Sequence, residues 1–224
     1  MTEVELARQV VAFLEREGFE VYQEVQLEFG GRTADIVALD SNRRVMIVEV
    51  KRTLGLSVME QADGWTRRNL AHWVCVAAPH SNARSRLFAD QICMDYGWGL
   101  IEVGQDASRM TSPPRFRRRA EASRVLDALT PEHQTYAEAG NADGRRWTPF
   151  QATCAAMRDF VRRRPGSTMR EVVGGIRHHY ATDASAKGCI MKWLRDGVIK
   201  DLRLDDSRRP FRLFLADEQQ EASA

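Results

Sequence analysis

The stretch that most constrains this chain is Val45–Lys51, VMIVEVK, in which both alternating sets of a strand are apolar. Val45 and Ile47 form one set and Met46, Val48 and Val50 the other, the pattern of a strand buried on both faces. Glu49 and Lys51 interrupt it. An ionised group in such a place is costly unless it is paired or holds a cation. Residues i and i+2 of a strand share a face about 6.5–7 Å apart, so Glu49 and Lys51 project together.

The preceding strand, Arg32–Leu39, carries a single acid, Asp35. If the two strands are neighbours, two carboxylates and one ammonium converge. Carboxylate oxygens suit Mg²⁺, which takes one or two of them and fills its shell with waters and substrate phosphate. A lysine beside them would orient an attacking water or steady charge building on a phosphate. The plainer alternative is a set of solvated charges at strand ends, and the order of surrounding elements weighs against it. Leu6, Ala7, Val10, Phe13 and Leu14 give a helical period over Glu3–Glu17, closed by Gly18. A strand follows over Phe19–Phe29, with a hairpin signal at Gly30-Gly31. Asp40-Ser41-Asn42 turns the chain into the strand that ends in Lys51. Ser57-Val-Met-Glu60 has the form of a capping box and predicts a helix to about Leu70. Strand Trp73–Ala78, helix Arg84–Tyr96 and strand Gly99–Val103 complete the series. The order α-β-β-β-α-β-α-β predicts an α/β fold, a mixed central sheet flanked by helices.

These residues resemble the PD-(D/E)xK nuclease superfamily, whose restriction-endonuclease-like fold is shared with archaeal Holliday junction resolvases and RecB-type nucleases. The resemblance spans roughly residues 1–104. Asp35 stands where the family has its first metal acid, preceded by Ala34 and not proline, and Glu49-Val50-Lys51 matches E-x-K. Gln61-Ala-Asp-Gly-Trp65 is similar to the Q-x3-Y helix motif, with tryptophan for tyrosine. Resolvase relatives carry an acid where this chain has Ala7; Glu3, one turn earlier on the same face, would substitute. The resemblance implies Mg²⁺ (or Mn²⁺) held by Asp35, Glu49, the Val50 carbonyl and Glu3, and hydrolysis of phosphodiester bonds. Lys51 would lie beside the nucleophilic water. Gln61 would position Lys51 or the phosphate, or else be an amide satisfied between helix and sheet. Related nucleases often pair, so a homodimer is compatible with it. Trp65, Trp73 and Trp98 have apolar neighbours and read as core, and His72 and His80 as filler.

A net charge of +2 hides an asymmetry. Residues 1–104 hold 11 Lys/Arg and 15 Asp/Glu, a net of −4, and the remainder of the totals of 33 and 31 leaves 22 and 16 for residues 105–224, a net of +6. An acidic first part suits a metal site and a basic second part suits a nucleic-acid grip. No signal peptide is legible, and no apolar run approaches the ~20 residues of a membrane span. The four cysteines, Cys75, Cys93, Cys154 and Cys189, form no C-x-x-C pair and read as buried free thiols in a reducing cytoplasm. The expected protein is cytoplasmic, with no membrane association.

Beyond Val103 the composition shifts. Thr111-Ser-Pro-Pro114, the basic run Arg115–Arg119 and the glycine-rich 138–144 predict a basic helical linker over 105–146. Residues 147–217 then show three helices and two short strands. Thr148-Pro149-Phe150-Gln151 caps the first helix, Thr168–Glu171 opens a second to about Tyr180, and the third covers Ala184–Asp196. Strands are expected at Val198–Leu204 and Phe211–Leu215, and a disordered tail over 218–224. This is the winged-helix pattern. Ala186, Cys189, Ile190, Trp193 and Leu194 would face inward on the third helix, leaving Ser185, Lys187, Lys192 and Arg195 for DNA, with Arg208, Arg209 and Arg212 on the wing reaching phosphate. Winged helices also bind proteins, and that alternative stays open here. Taken together the sequence predicts a Mg²⁺-dependent DNA endonuclease guided by a winged helix; the alternative is a DNA-binding regulator or assembly subunit that keeps the nuclease fold without cutting.

Overall fold

The computed structural model describes residues 1–27, 31–105, 107–140, 147–207 and 209–216, without the side chains of residues 84 and 85. Gly30 of the expected hairpin, Arg208 and the tail 218–224 lie outside the described residues. The chain divides into two compact units, Met1–Trp147 and Thr148–Ala224.

The first unit is a six-stranded mixed sheet in the order β1-β2-β3-β4-β5-β6. Its strands are β1 (Glu20–Gln26), β2 (Thr33–Leu39), β3 (Val45–Val50), β4 (Trp73–Pro79), β5 (Gly99–Val103) and β6 (Ser108–Ser112). The first three form an antiparallel meander, β3, β4 and β5 run parallel, and β6 returns antiparallel. The two-sided apolarity of β3 has its cause in this order: all six residues are buried, with a neighbouring strand on each edge and a packed layer on each face. On one face Val45 and Ile47 meet α2 (Leu56–Arg68) and α3 (Arg84–Tyr96) through Val58, Ala62, Trp65, Ala89 and Cys93. On the other, Met46, Val48 and Val50 meet α1 (Glu3–Arg16) through Leu6, Val10 and Leu14.

Helix ends follow capping chemistry, with one correction. Thr2 and Glu5 form a capping box at the start of α1. The expected box at Ser57 does not form. Gly55, in extended backbone, is the N-cap of α2 and makes no side-chain cap, so the helix begins at Leu56 and Ser57 lies in its first turn. Asn69, with φ 53°, ends it in the left-handed conformation that asparagine tolerates.

Residues 107–140, inside the stretch expected to be a basic helical linker, belong to the first unit. Ser108–Ser112 is the sixth strand; Ser108, Met110 and Ser112 turn inward, Met110 against the α1 layer, while Arg109 and Thr111 are exposed, an edge strand with almost no apolar signal. Arg117 N–H bonds to the His72 carbonyl and Glu121 N–H to the Asn69 carbonyl, both at 2.8 Å. The short helices α4 (Ser123–Ala128) and α5 (Glu132–Thr135) follow, and Val125 is buried with the α2 and α3 layer. Ala139 N–H then reaches Gln23 Oε1 at 3.1 Å and Gly140 N–H reaches Glu24 Oε1 at 3.3 Å.

The second unit contains α6 (Pro149–Arg163), β7 (Ser167–Thr168), α7 (Met169–Gly174), α8 (Asp183–Arg195), β8 (Leu202–Asp205) and β9 (Arg212–Leu215). Its sheet has the order β7-β9-β8, all antiparallel. Met157, Val161, Val172, Ile190 and Leu213 make its core. The α7 helix stops at Gly174, short of Tyr180, because Gly174-Gly175 follow its first turns and glycine is a poor helix former. Cys189 is exposed on α8 and Cys154 only partly covered, so two of the four thiols expected to be buried are not. Among the described residues no helix is long and apolar enough to cross a membrane.

Candidate active site

The register that pairs Ile36 with Val48 and Val37 with Ile47 carries Asp35 alongside Glu49. Asp35 Oδ2 accepts the Val50 N–H at 2.8 Å, which fixes the carboxylate against the end of β3. Lys51 follows the last residue of that strand, and its own N–H is held by the Ala77 carbonyl of β4 at 3.0 Å. Its Nζ lies 3.7 Å from Asp35 Oδ2 and 3.7 Å from Glu3 Oε1 at the start of α1. Four of the residues singled out in the sequence thus meet at the end of β3.

Glu49 is the unusual member. It is 1% exposed, and Oε1 accepts a hydrogen bond from Trp65 Nε1–H of α2. Its other oxygen, Oε2, is buried without a hydrogen-bond partner. Burial, and after it the Asp35 charge, push the carboxyl up to about 9. With both carboxyls ionised Oε2 meets no donor; a proton between Glu49 and Asp35 supplies one, and acts in the same upward direction. The Trp65 bond and Lys51 oppose the shift without cancelling it. For Lys51, burial lowers the pKa, but Asp35, Glu3, Glu49 and Glu24 together raise it, so the ammonium stays charged.

Glu24 is the residue that the sequence pattern did not single out. It is 3% exposed and sits in β1 opposite Asp35, at the step between the pairs Gln23–Ile36 and Val25–Ala34. Its φ of 51° breaks the alternation, so that Tyr22 and Val25 pack on the same face. A glutamate inside a strand of buried valines was the available signal. Gly140, with φ +77°, crosses close to α1: an added Cβ would stand 2.7 Å from the Glu3 carbonyl carbon.

Beside these acids opens a cleft of about 360 Å³ lined by Arg32, Glu49, Lys51, Ser57, Gln61 and Trp65, among others. Gln61 Oε1 is buried there with no partner. The alternative of an amide satisfied between helix and sheet does not describe that oxygen. Trp65 and Trp98 are core residues, 1% and 2% exposed. His72 is structural, its Nδ1 accepting the Val45 N–H at 3.0 Å, and His80 Nδ1 lies 3.0 Å from Glu102.

A divalent metal is a fair fit to this donor set. Glu49 Oε2 is a buried oxygen that meets no donor unless a proton is shared with Asp35, and carboxylate oxygens are donors of the hard kind that such ions take. Among the described residues no group of three or more His, Cys, Asp or Glu side chains is set to hold a metal, so the fit rests on two carboxylates. Glu3 faces Lys51 in this arrangement.

In the second unit Ser185, Lys187, Lys192, Arg195, Arg209 and Arg212 are all exposed. Lys187, Gly188, Met191, Lys192 and Arg195 line one groove along α8. Arg212 Nη1 donates to the Gly166 carbonyl at 2.6 Å, a bond that braces the chain before β7.

No family model and no curated protein matches the chain. Among solved structures, a protein of unknown function from Silicibacter pomeroyi is similar at 17% identity and a TM-score of 0.42, over 71% of this chain and 90% of its own. A repair endonuclease from Pyrococcus abyssi is similar at 16% identity and a TM-score of 0.36, over 46% of this chain and 47% of its own. An EndoMS–dsDNA2 complex is similar at 17% identity and a TM-score of 0.35, over 46% of each chain. The chain thus spans about half the length of either endonuclease. Likenesses of this size leave the functional reading to the site's own geometry.

Proposed function

We propose that this chain is a Mg²⁺- or Mn²⁺-dependent DNA endonuclease whose second unit is a winged helix that grips DNA. The observation that carries the reading is Glu49: a carboxyl only 1% exposed, whose Oε2 meets no donor but a proton shared with Asp35, beside Lys51. Burying an acid in this way is destabilising by itself, and is explained if the acid has a ligand.

Asp35 and Glu49 would hold the ion, with the Val50 carbonyl as a further oxygen. When bound, the ion supplies charge stabilisation at a phosphate and a more acidic water. The chain's own groups do the rest. Lys51, kept protonated by the acids around it, offers an N–H to a phosphate oxygen or to the incoming water. Glu3 and Asp35 hold that ammonium from two sides. The unpartnered Gln61 Oε1 accepts from the water or from Lys51, and Trp65 fixes the orientation of Glu49. Burial of Glu49 and Trp65 keeps bulk water from the rear of the site.

Support for the winged helix comes from three helices with an antiparallel β8-β9 pair and from the exposed cations along one groove of α8. Lys187, Lys192 and Arg195 are donors suited to phosphates and base edges.

The test is cleavage of plasmid, junction, flap and single-stranded DNA with Mg²⁺ or Mn²⁺ by the wild-type chain and by Asp35→Ala, Glu49→Ala and Lys51→Ala. The wild type cuts at least one substrate and each variant loses at least 100-fold, the scale of removing one stabilising group. Equal cutting by all four, or none by any while DNA binding persists, sinks the enzyme reading.

A further inference from the structure

We propose that Arg32 is a substrate-binding residue of this site, its guanidinium gripping a backbone phosphate of the strand held in the cleft; this rests on the nuclease reading above. Of the described residues lining that cleft, only Arg32 and Lys51 are cations. Lys51 is engaged by Glu3 and Asp35, each at 3.7 Å. Lys51 faces the carboxylates of Glu3 and Asp35, whose charges repel an approaching DNA strand, and a second cation at the cleft offsets that repulsion.

Arg32 is placed to do so. Its contact with Glu60 is loose, 3.7 Å between side chains 43% and 77% exposed, and such a surface pair holds an arginine weakly. The planar fork of N–H donors that it presents suits a phosphate better than a lysine would. Thr33 and Ser57, hydroxyl donors of the kind that bind phosphate oxygens, line the same cleft.

A second observation shows where the guanidinium rests. A Cβ built on Gly64 of α2 would stand 2.7 Å from Arg32 Nη1 and 3.5 Å from Cζ, and would meet nothing else within 4 Å. Helix α2 carries a glycine, a poor helix former, where the Arg32 guanidinium lies across it, one turn after Glu60. A methyl group there disturbs no packing other than the seat of Arg32.

Binding is measured in an Asp35→Asn background, with a duplex of about 30 base pairs and its single strand as probes, across a salt series. Arg32→Ala raises Kd roughly 10- to 100-fold, the range for a charge-assisted bond. It lowers the slope of log K against log salt by about 0.9 on duplex, one phosphate contact. Arg32→Lys restores the slope and only part of the affinity. In the cleaving chain, Arg32→Ala raises KM more than it lowers kcat. Gly64→Ala weakens binding in the same sense and has no effect once Arg32 is alanine. Unchanged Kd and slope in Arg32→Ala overturn the assignment while cleavage stands. An equal cost of Gly64→Ala with and without Arg32 overturns the seat. Absence of cleavage by the wild-type chain sinks the nuclease reading instead, and leaves the binding result to be judged by itself.

Discussion

Replacing Glu49 by glutamine gives a sharp test of how the site is poised. Burial and Asp35 raise the carboxyl from 4.5 to about 9. Between those values the folded chain holds a proton on Glu49 that the unfolded chain has released. Stability therefore falls as pH rises, by 2.303RT per unit, and the loss levels off once pH passes the folded pKa. A full proton difference is worth on the order of 1 kcal/mol per pH unit, so wild type in chelator loses on the order of 1–3 kcal/mol between pH 6 and pH 8 through this group. Glutamine keeps an oxygen to accept the Trp65 N–H and carries no proton to lose. The difference between Glu49→Gln and wild type should thus grow in the variant's favour by about that amount across the window, other titrating groups cancelling. Equilibrium urea unfolding in a chelator at pH 6, 7 and 8, fitted for the unit that contains Glu49, measures it. A difference that stays flat with pH refutes the claim that Glu49 is buried as an acid.

Three other outcomes follow from the same geometry. Trp65→Phe removes the one donor to Glu49 Oε1; it should cost about 1–3 kcal/mol and extend the pH-dependent loss to higher pH, and an unchanged urea profile would contradict it. Mg²⁺ or Mn²⁺ has to displace the Glu49 proton, so binding at pH 7 should release one proton, tighten about tenfold per pH unit below pH 9 and vanish in Asp35→Ala; a titration heat independent of buffer argues against it. Lys192→Ala combined with Arg195→Ala should reduce the salt slope of duplex binding by about 1.8, two phosphate contacts; an unchanged slope would assign α8 to a protein partner.

The features written in apolar periodicity were legible without coordinates. Both faces of β3 are apolar because both are covered, and a register of plain antiparallel pairs then brings Asp35 to Glu49 with no special turn chemistry. What stayed hidden depends on groups far apart in sequence. Strand β6, SRMTS, turns a single apolar residue, Met110, toward the core, so nothing in its composition sets it apart from a linker. Residues 117–140 look like solvated basic chain, but the backbone N–H groups of Arg117, Glu121, Ala139 and Gly140 find carbonyls and side chains of the first 75 residues. Glu24 belongs to the site through a left-handed backbone step that no spacing rule signals. At α2 a local rule misled: Ser57 and Glu60 have capping-box spacing, yet extended Gly55 starts the helix two residues earlier and leaves Ser57 to line the cleft. Cys189 lies where a wide apolar stripe was expected on α8, but only Ala186 and Ile190 are fully buried there, with Trp193 and Leu194 partly covered and Cys189 exposed.

The central claim is that a divalent ion sits between Asp35 and Glu49. Anomalous diffraction from a Mn²⁺-soaked crystal tests it most directly. The expected result is a single strong peak within coordinating distance, about 2.0–2.2 Å, of one oxygen from each carboxylate, with Glu49 Oε2 among them, and no peak in Asp35→Ala. Saturating Mn²⁺ with no density between the two carboxylates, and Glu49 still held by Trp65 and Asp35 alone, would contradict it.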